Sequence, residues 1–123
     1  MIITAVVPIE GMRLGAALNA RVHWTRRAAR AKKERATVGW AMHAHRRPIL
    51  SRPPTICTLV RIAPRMLDDD NLAGAFKSIR DEVASFFGVD DGPKGPIQWC
   101  YEQQKGEPKQ YAVHICLTWE DDK

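Results

Sequence analysis

Residues Ile2 to Ile9 alternate weakly between apolar and polar positions, favour Val and Ile, and stop at Glu10-Gly11, a pattern that predicts a first strand. From about Thr25 to a stop at Pro48 strong helix formers dominate, with Thr25 placed to cap. The apolar stripe of this helix runs through Ala29, the stem of Lys33, Ala36, Trp40 and Met42-His43, so only its second half has much to bury. Three prolines between Pro48 and Pro54 mark a loop, and Thr55 to Ile62 then reads as a second strand ended by Pro64. A second helix extends to about Phe87, with Gly88 where a helix C-terminus favours glycine. Its apolar stripe is Leu72, Ala75, Ile79, Val83 and Phe86. The runs Ile97–Gln103 and Tyr111–Trp119 flank Lys105-Gly106-Glu107-Pro108 and read as a hairpin. The order β-α-β-α-β-β predicts an α/β (α+β) domain: one small mixed sheet of about four strands with two main helices packed on it.

A chain of 123 residues is one domain's worth, so residues 1–123 are read as a single unit, and 45% hydrophobic residues supply one modest core. No apolar run approaches the ~20 residues of a membrane helix, and the start of the chain lacks a secretory signal pattern, which together predict a cytoplasmic protein with no membrane partner. Cys57, Cys100 and Cys116 are far apart with no Cys-x-x-Cys, and are read as reduced core thiols. His43-x-His45 is at best a weak zinc hint, and no Gly-rich phosphate cradle points to a nucleotide cofactor. Charge is more informative once divided. Residues 21–47 carry nine Lys or Arg against the single acid Glu34, a formal +8 in a chain of +5, which leaves −3 elsewhere. Such a block attracts a polyanion by displacing its counterions, and nucleic acid is the expected partner.

The chemistry lies in the acids. Asp68-Asp69-Asp70-Asn71 leaves the second strand; if it is still extended there, Asp68 and Asp70 share one side. Like charges that close call for a proton or a hard divalent cation. Counted at 100° per residue from Asp70, Gly74, Lys77 and Asp81 lie within about 40° of one line, opposite the apolar stripe. Asp90 and Asp91 follow the helix's carboxyl end, where the dipole disfavours anions, although an Asp-Gly pair also suits a turn. Two groups of acids in a chain with a +8 segment fit metal-assisted phosphodiester hydrolysis. The alternative is a non-catalytic basic DNA-binding module with a structural cation site.

Arg65, then Asp68-x-Asp70-Asn71-Leu72, Lys77-x-x-x-Asp81 and Gly88-Val89-Asp90-Asp91 together resemble the RusA-type Holliday-junction resolvases, including phage-borne members. The resemblance implies a homodimeric, Mg²⁺-dependent endonuclease, with Mn²⁺ as the alternative ion. Such an enzyme resolves four-way junctions in recombination and repair by paired symmetric nicks. Carried over position by position, Asp68, Asp70 and Asp91 are the catalytic carboxylates and, with Asp90, the metal ligands; Lys77 is the catalytic lysine and Asn71 stands beside them. In the best-known members the lysine sits nearer the Asp-Asn pair, at about Gly74, so Lys77 is one turn (~4.5 Å) further along the same face. The amino-terminal loop around His23 to Arg27 matches poorly, and DNA contacts there are inferred from charge. Arg21, His23, Arg26, Arg27, Arg30, Lys32, Lys33 and Arg35 form that set, with Arg65, Asn71 and Lys94 added around the acids.

Overall fold

The structure, a computed structural model, describes residues 1–15 and 24–120, with Trp24 described by its backbone alone. Among the described residues four strands and three helices follow in the order β1 (Ile2–Glu10), α1 (Trp24–Ala44), β2 (Ile56–Ala63), α2 (Asp69–Ala75), α3 (Lys77–Phe87), β3 (Gln98–Lys105) and β4 (Ala112–Glu120). They form the expected α+β arrangement around one mixed four-stranded sheet, ordered β1-β4-β2-β3. β2 is apolar along most of its length and takes an interior place, parallel to β3 on one side and antiparallel to β4 on the other.

The expected hairpin is not formed: β2 stands between β3 and β4. At the end of β3 the Gly106 amide donates to the Ala63 carbonyl of β2 at 2.8 Å, and the following residues carry the chain to the other side of β2. Burial explains the choice. Val113, Ile115, Leu117 and Trp119 are almost fully buried, and so is Ala112 on the opposite face, which suits β4 to an interior position. β3, with Gln98, Glu102, Gln103, Gln104 and Lys105, tolerates an edge.

The second helix is interrupted. Phe76 (φ −88°, ψ 1°) separates α2 from α3, and its fully buried ring stacks on Tyr101 with centroids 5.8 Å apart. Leu72, Ala75, Ile79 and Val83 are buried as expected, but Phe86 is part-exposed and Phe76 takes a core place instead. Gly88 ends α3 in the left-handed region (φ 68°), a conformation glycine adopts without a Cβ penalty, and the Val89 amide reaches back to the Ala84 carbonyl.

α1 packs by a stripe that shares Met42 with the one expected but not its other members. Val38 and Met42 are fully buried, whereas Ala29, Lys33, Ala36 and Trp40 are exposed, Trp40 by 78%. The spacing of Glu34, Val38, Ala41-Met42 and His45 traces the face turned toward the molecule. The size of the Trp40 side chain pointed to the wrong face.

Odd-numbered positions of β1, β2 and β4 face the main core with the helices. Even-numbered positions face outward, with a small second cluster of Val60, Ile62 and Ala112. Cys57 is a core thiol, but Cys100 and Cys116 lie half-buried on the outward face rather than in the core, and all three are unbonded. Among the described residues no Lys or Arg occupies an outward position on these strands. Among the described residues no helix is long and apolar enough to cross a membrane.

Candidate active site and nucleic-acid interface

The acidic motif is held in place from β3. The Gln103 side chain accepts from the Leu67 amide at 3.0 Å and donates to the Leu67 carbonyl at 2.7 Å, imitating a strand partner for the segment that leaves β2. The backbone is extended through Asp68 (φ −64°, ψ 155°), which occupies the N-cap of α2, and its carbonyl accepts from the Leu72 amide at 2.8 Å. Asp69 and Asp70 already lie in the first helical turn, so the strand alternation expected to pair Asp68 with Asp70 ends at Asp68. All three aspartates are exposed, and the Asp68 side chain makes no capping hydrogen bond. Asn71 is half-buried in the same turn.

Asp91 is fixed by Arg80, a residue the sequence reading did not single out. The Arg80 guanidinium donates twice to the Asp91 carbonyl, once from Nε at 2.9 Å and once from Nη2. It also donates to the Tyr101 hydroxyl at 2.6 Å and lies over the Trp99 ring at 5.0 Å. Its Nε is 3.6 Å from the Asp91 carboxylate. The loop beyond is tight: a Cβ at Gly95 would collide with the Asp90 carbonyl, so only glycine fits there. Asp90 is exposed and its carboxylate lies against Gly92, within its own turn; Lys94 is exposed on the same loop.

The carboxylate in contact with Asp91 is Asp81. Burial raises the Asp81 pKa above the ordinary carboxylate value, and the hydrogen bond shared with Asp91 raises it further, while Lys77 pulls it down. Lys77 Nζ lies 3.7 Å from Asp81 Oδ2 across one helical turn. Two touching carboxylates, one of them partly desolvated, are set up to share a proton or a cation. Among the described residues no three His, Cys, Asp or Glu side chains are grouped closely enough to hold a metal ion.

Asp81 and Lys77 also line a cleft of about 340 Å³ between α1 and the α2–α3 pair. Its other walls include Arg26, Arg27, Arg30 and Arg35 from α1, and Gly74 and Ser78 from the facing helices. Glu34 is tied down there, accepting from Ser78 Oγ at 2.5 Å and pairing with Arg30 at 3.4 Å. A second, wider hollow of about 760 Å³ is lined by Arg13, Arg30, Arg61 and Arg65, with no acid among its described lining residues. Arg61 is buried, which lowers its pKa, and it spends its donors on the carbonyls of Leu14 (2.7 Å) and Arg65 (2.6 Å). Arg13 lies over the Tyr111 ring at 4.6 Å. Neither Arg13 nor Arg61 stands within the basic block, so regional charge counting passed over both.

Of the expected DNA-contacting residues, Arg26, Arg27, Arg30 and Arg35 share the cleft with Lys77, and Arg65 lines the wider hollow. Lys33 faces a different groove, beside β1, and Lys32 is exposed on α1. Arg21 and His23 lie outside the described residues.

No family model matches this chain, and no solved structure matches it. A protein of Xylella fastidiosa (strain Temecula1), described as uncharacterized, is 37% identical over an 89-residue alignment that covers 59% of this chain and 51% of the relative. The chain thus spans about half the length of the curated relative it matches.

Proposed function

We propose that this chain is a structure-selective DNA endonuclease of the RusA type, working in the cytosol on four-way junctions or similarly branched DNA. The observation that carries the reading is the Asp81–Asp91 pair, held beside a cleft lined by four arginines and Lys77. A carboxylate contact of this kind, next to a phosphate-attracting wall, suits phosphodiester chemistry. Mg²⁺ keeps several of its waters and takes only one or two protein carboxylates besides substrate phosphate, so the contacting pair meets its needs. Asp91 and Asp81 would hold it; among the described residues Asp68, Asp70 and Asp90 are not grouped with them, and their part in the reading comes from the resemblance. A bound ion would neutralise phosphate charge and lower the pKa of water at the site. Lys77 steadies the charge that develops on phosphorus oxygens, and Arg26, Arg27, Arg30 and Arg35 hold the strand against α1.

Two symmetric nicks need two active sites, and the outward sheet face supports a homodimer. It is apolar in part, with Ile2 and Val6 exposed, and its described strand positions carry no Lys or Arg in a strongly basic chain. It is therefore suited to a second copy rather than to DNA. Sedimentation should show a dimer that Val6→Lys separates; a monomer at working concentration would remove this part of the reading.

The central test is incubation with a synthetic mobile four-way junction. Paired nicks at symmetric positions are expected with Mg²⁺ and none without it, and Asp70→Asn should retain junction binding while losing nicking. Unchanged nicking in that variant refutes the carboxylate assignment. Binding without any nicking by the wild-type chain favours the basic binding module instead.

A further inference from the structure

An isolated exposed apolar side chain is ordinary, but Trp40 is not isolated. It forms one wall of a groove of about 400 Å³ along α1 and α3, with Arg35, Ala36, Gly39, His43 and Glu82. The acid among these residues, Glu82, is already paired: its carboxylate accepts from Arg35 Nε at 3.1 Å. Gly39 brings the two helices close, since a Cβ there would stand 3.2 Å from Glu82 Oε2. The floor beside the indole is consequently made of small residues. Lys33, within about 20° of Trp40 by the helix count, turns instead to the groove beside β1. Arg35 also lines the arginine cleft, so the groove adjoins the candidate active site.

An aromatic face set among cations, next to a track for phosphates, is the composition that binds unpaired nucleic-acid strands: bases stack on the ring while the backbone follows the charges. Paired DNA offers no base face to an indole standing on a helix. We propose that Trp40 is a stacking platform for an unpaired base of a DNA strand, with Arg35 and His43 alongside the backbone. The inference rests on the DNA-binding half of the reading above and not on the nicking chemistry. It adds a preference for junctions, forks or flaps whose bases are opened near the cleft.

The test uses the full chain and a short oligothymidylate in EDTA, so that cleavage plays no part. Trp40→Ala should weaken binding on the order of tenfold, with Trp40→Phe recovering much of the loss. The slope of log affinity against log salt should stay the same, because stacking releases no counterions. Oligonucleotide should quench tryptophan fluorescence in the wild-type chain, and the quenching should fall sharply in Trp40→Phe. Equal affinity and equal quenching in the variants would overturn the assignment while leaving the nuclease reading intact. A change in sedimentation without a change in affinity would show that the indole meets protein, and would overturn it too. Failure of the wild-type chain to bind any oligonucleotide or junction would defeat both readings together.

Discussion

Asp68, Asp69 and Asp70 are exposed at the start of α2, where acids interact favourably with the helix dipole. Asp81 and Asp91 are placed in the opposite circumstances. They meet each other, one rising from the middle of α3 and the other from the loop beyond it, and burial works against the charge on Asp81. The first group needs no function to explain it, since local helix energetics favour acids there. The second runs against the stability of the fold, and Arg80 is committed to keeping it in place. Of the two, the contacting pair is therefore the stronger structural pointer to chemistry. On the proposed reading, the exposed group takes its role from the pattern Asp68-x-Asp70-Asn71 and its resemblance alone.

On the proposed reading, the largest expected effect falls on nicking. Asp91→Asn should abolish Mg²⁺-dependent cleavage of a four-way junction with binding retained or tightened, whereas Asp69→Asn should leave cleavage near wild type. Equal loss in both would show that Asp69 cannot be set apart from the catalytic carboxylates.

Removing the support for Asp91 comes next. Arg80→Met should lower unfolding stability by about 1–3 kcal/mol, because charged hydrogen bonds to the Asp91 carbonyl and the Tyr101 hydroxyl disappear together. Denaturant melts measure the loss, and no loss would mean the loop is held by other contacts.

The pair should also be visible in pH dependence. Because folding raises the pKa of Asp81, the native state keeps this proton to a higher pH than the unfolded chain. Its contribution is therefore most favourable below the ordinary carboxylate range and is lost as pH rises through the folded value. Asp81→Asn should melt above wild type at neutral pH, with the gap closing in acid. A gap that does not depend on pH would show that the carboxyl titrates alike in both states. The smallest effect belongs to Asp69→Ala, about 0.3–1 kcal/mol at low salt and less as salt is added.

Local pattern carried much of this molecule. The strand runs, the glycine that closes α3, the basic α1 and the acidic motif are all written in short stretches, where periodicity, capping and charge act over a few residues. Non-local pairing decided the rest. A short link between two strand patterns looks alike whether they pair with each other or straddle a third, and the sheet order that sets β2 between them shows only in the tertiary structure. Trp40 looked like core until Val38 and Met42 took the contact with the rest of the fold, because a helix buries the side its neighbours offer rather than its largest side chain. Arg80 had no periodic or motif signal, and its partners lie on a loop and on β3. Sequence alone determined which residues were acidic, basic or strand-forming, since those are properties of side chains and their near neighbours. Which acids meet, and what holds them there, was settled by tertiary packing, since the energies involved arise only when distant segments exclude water together.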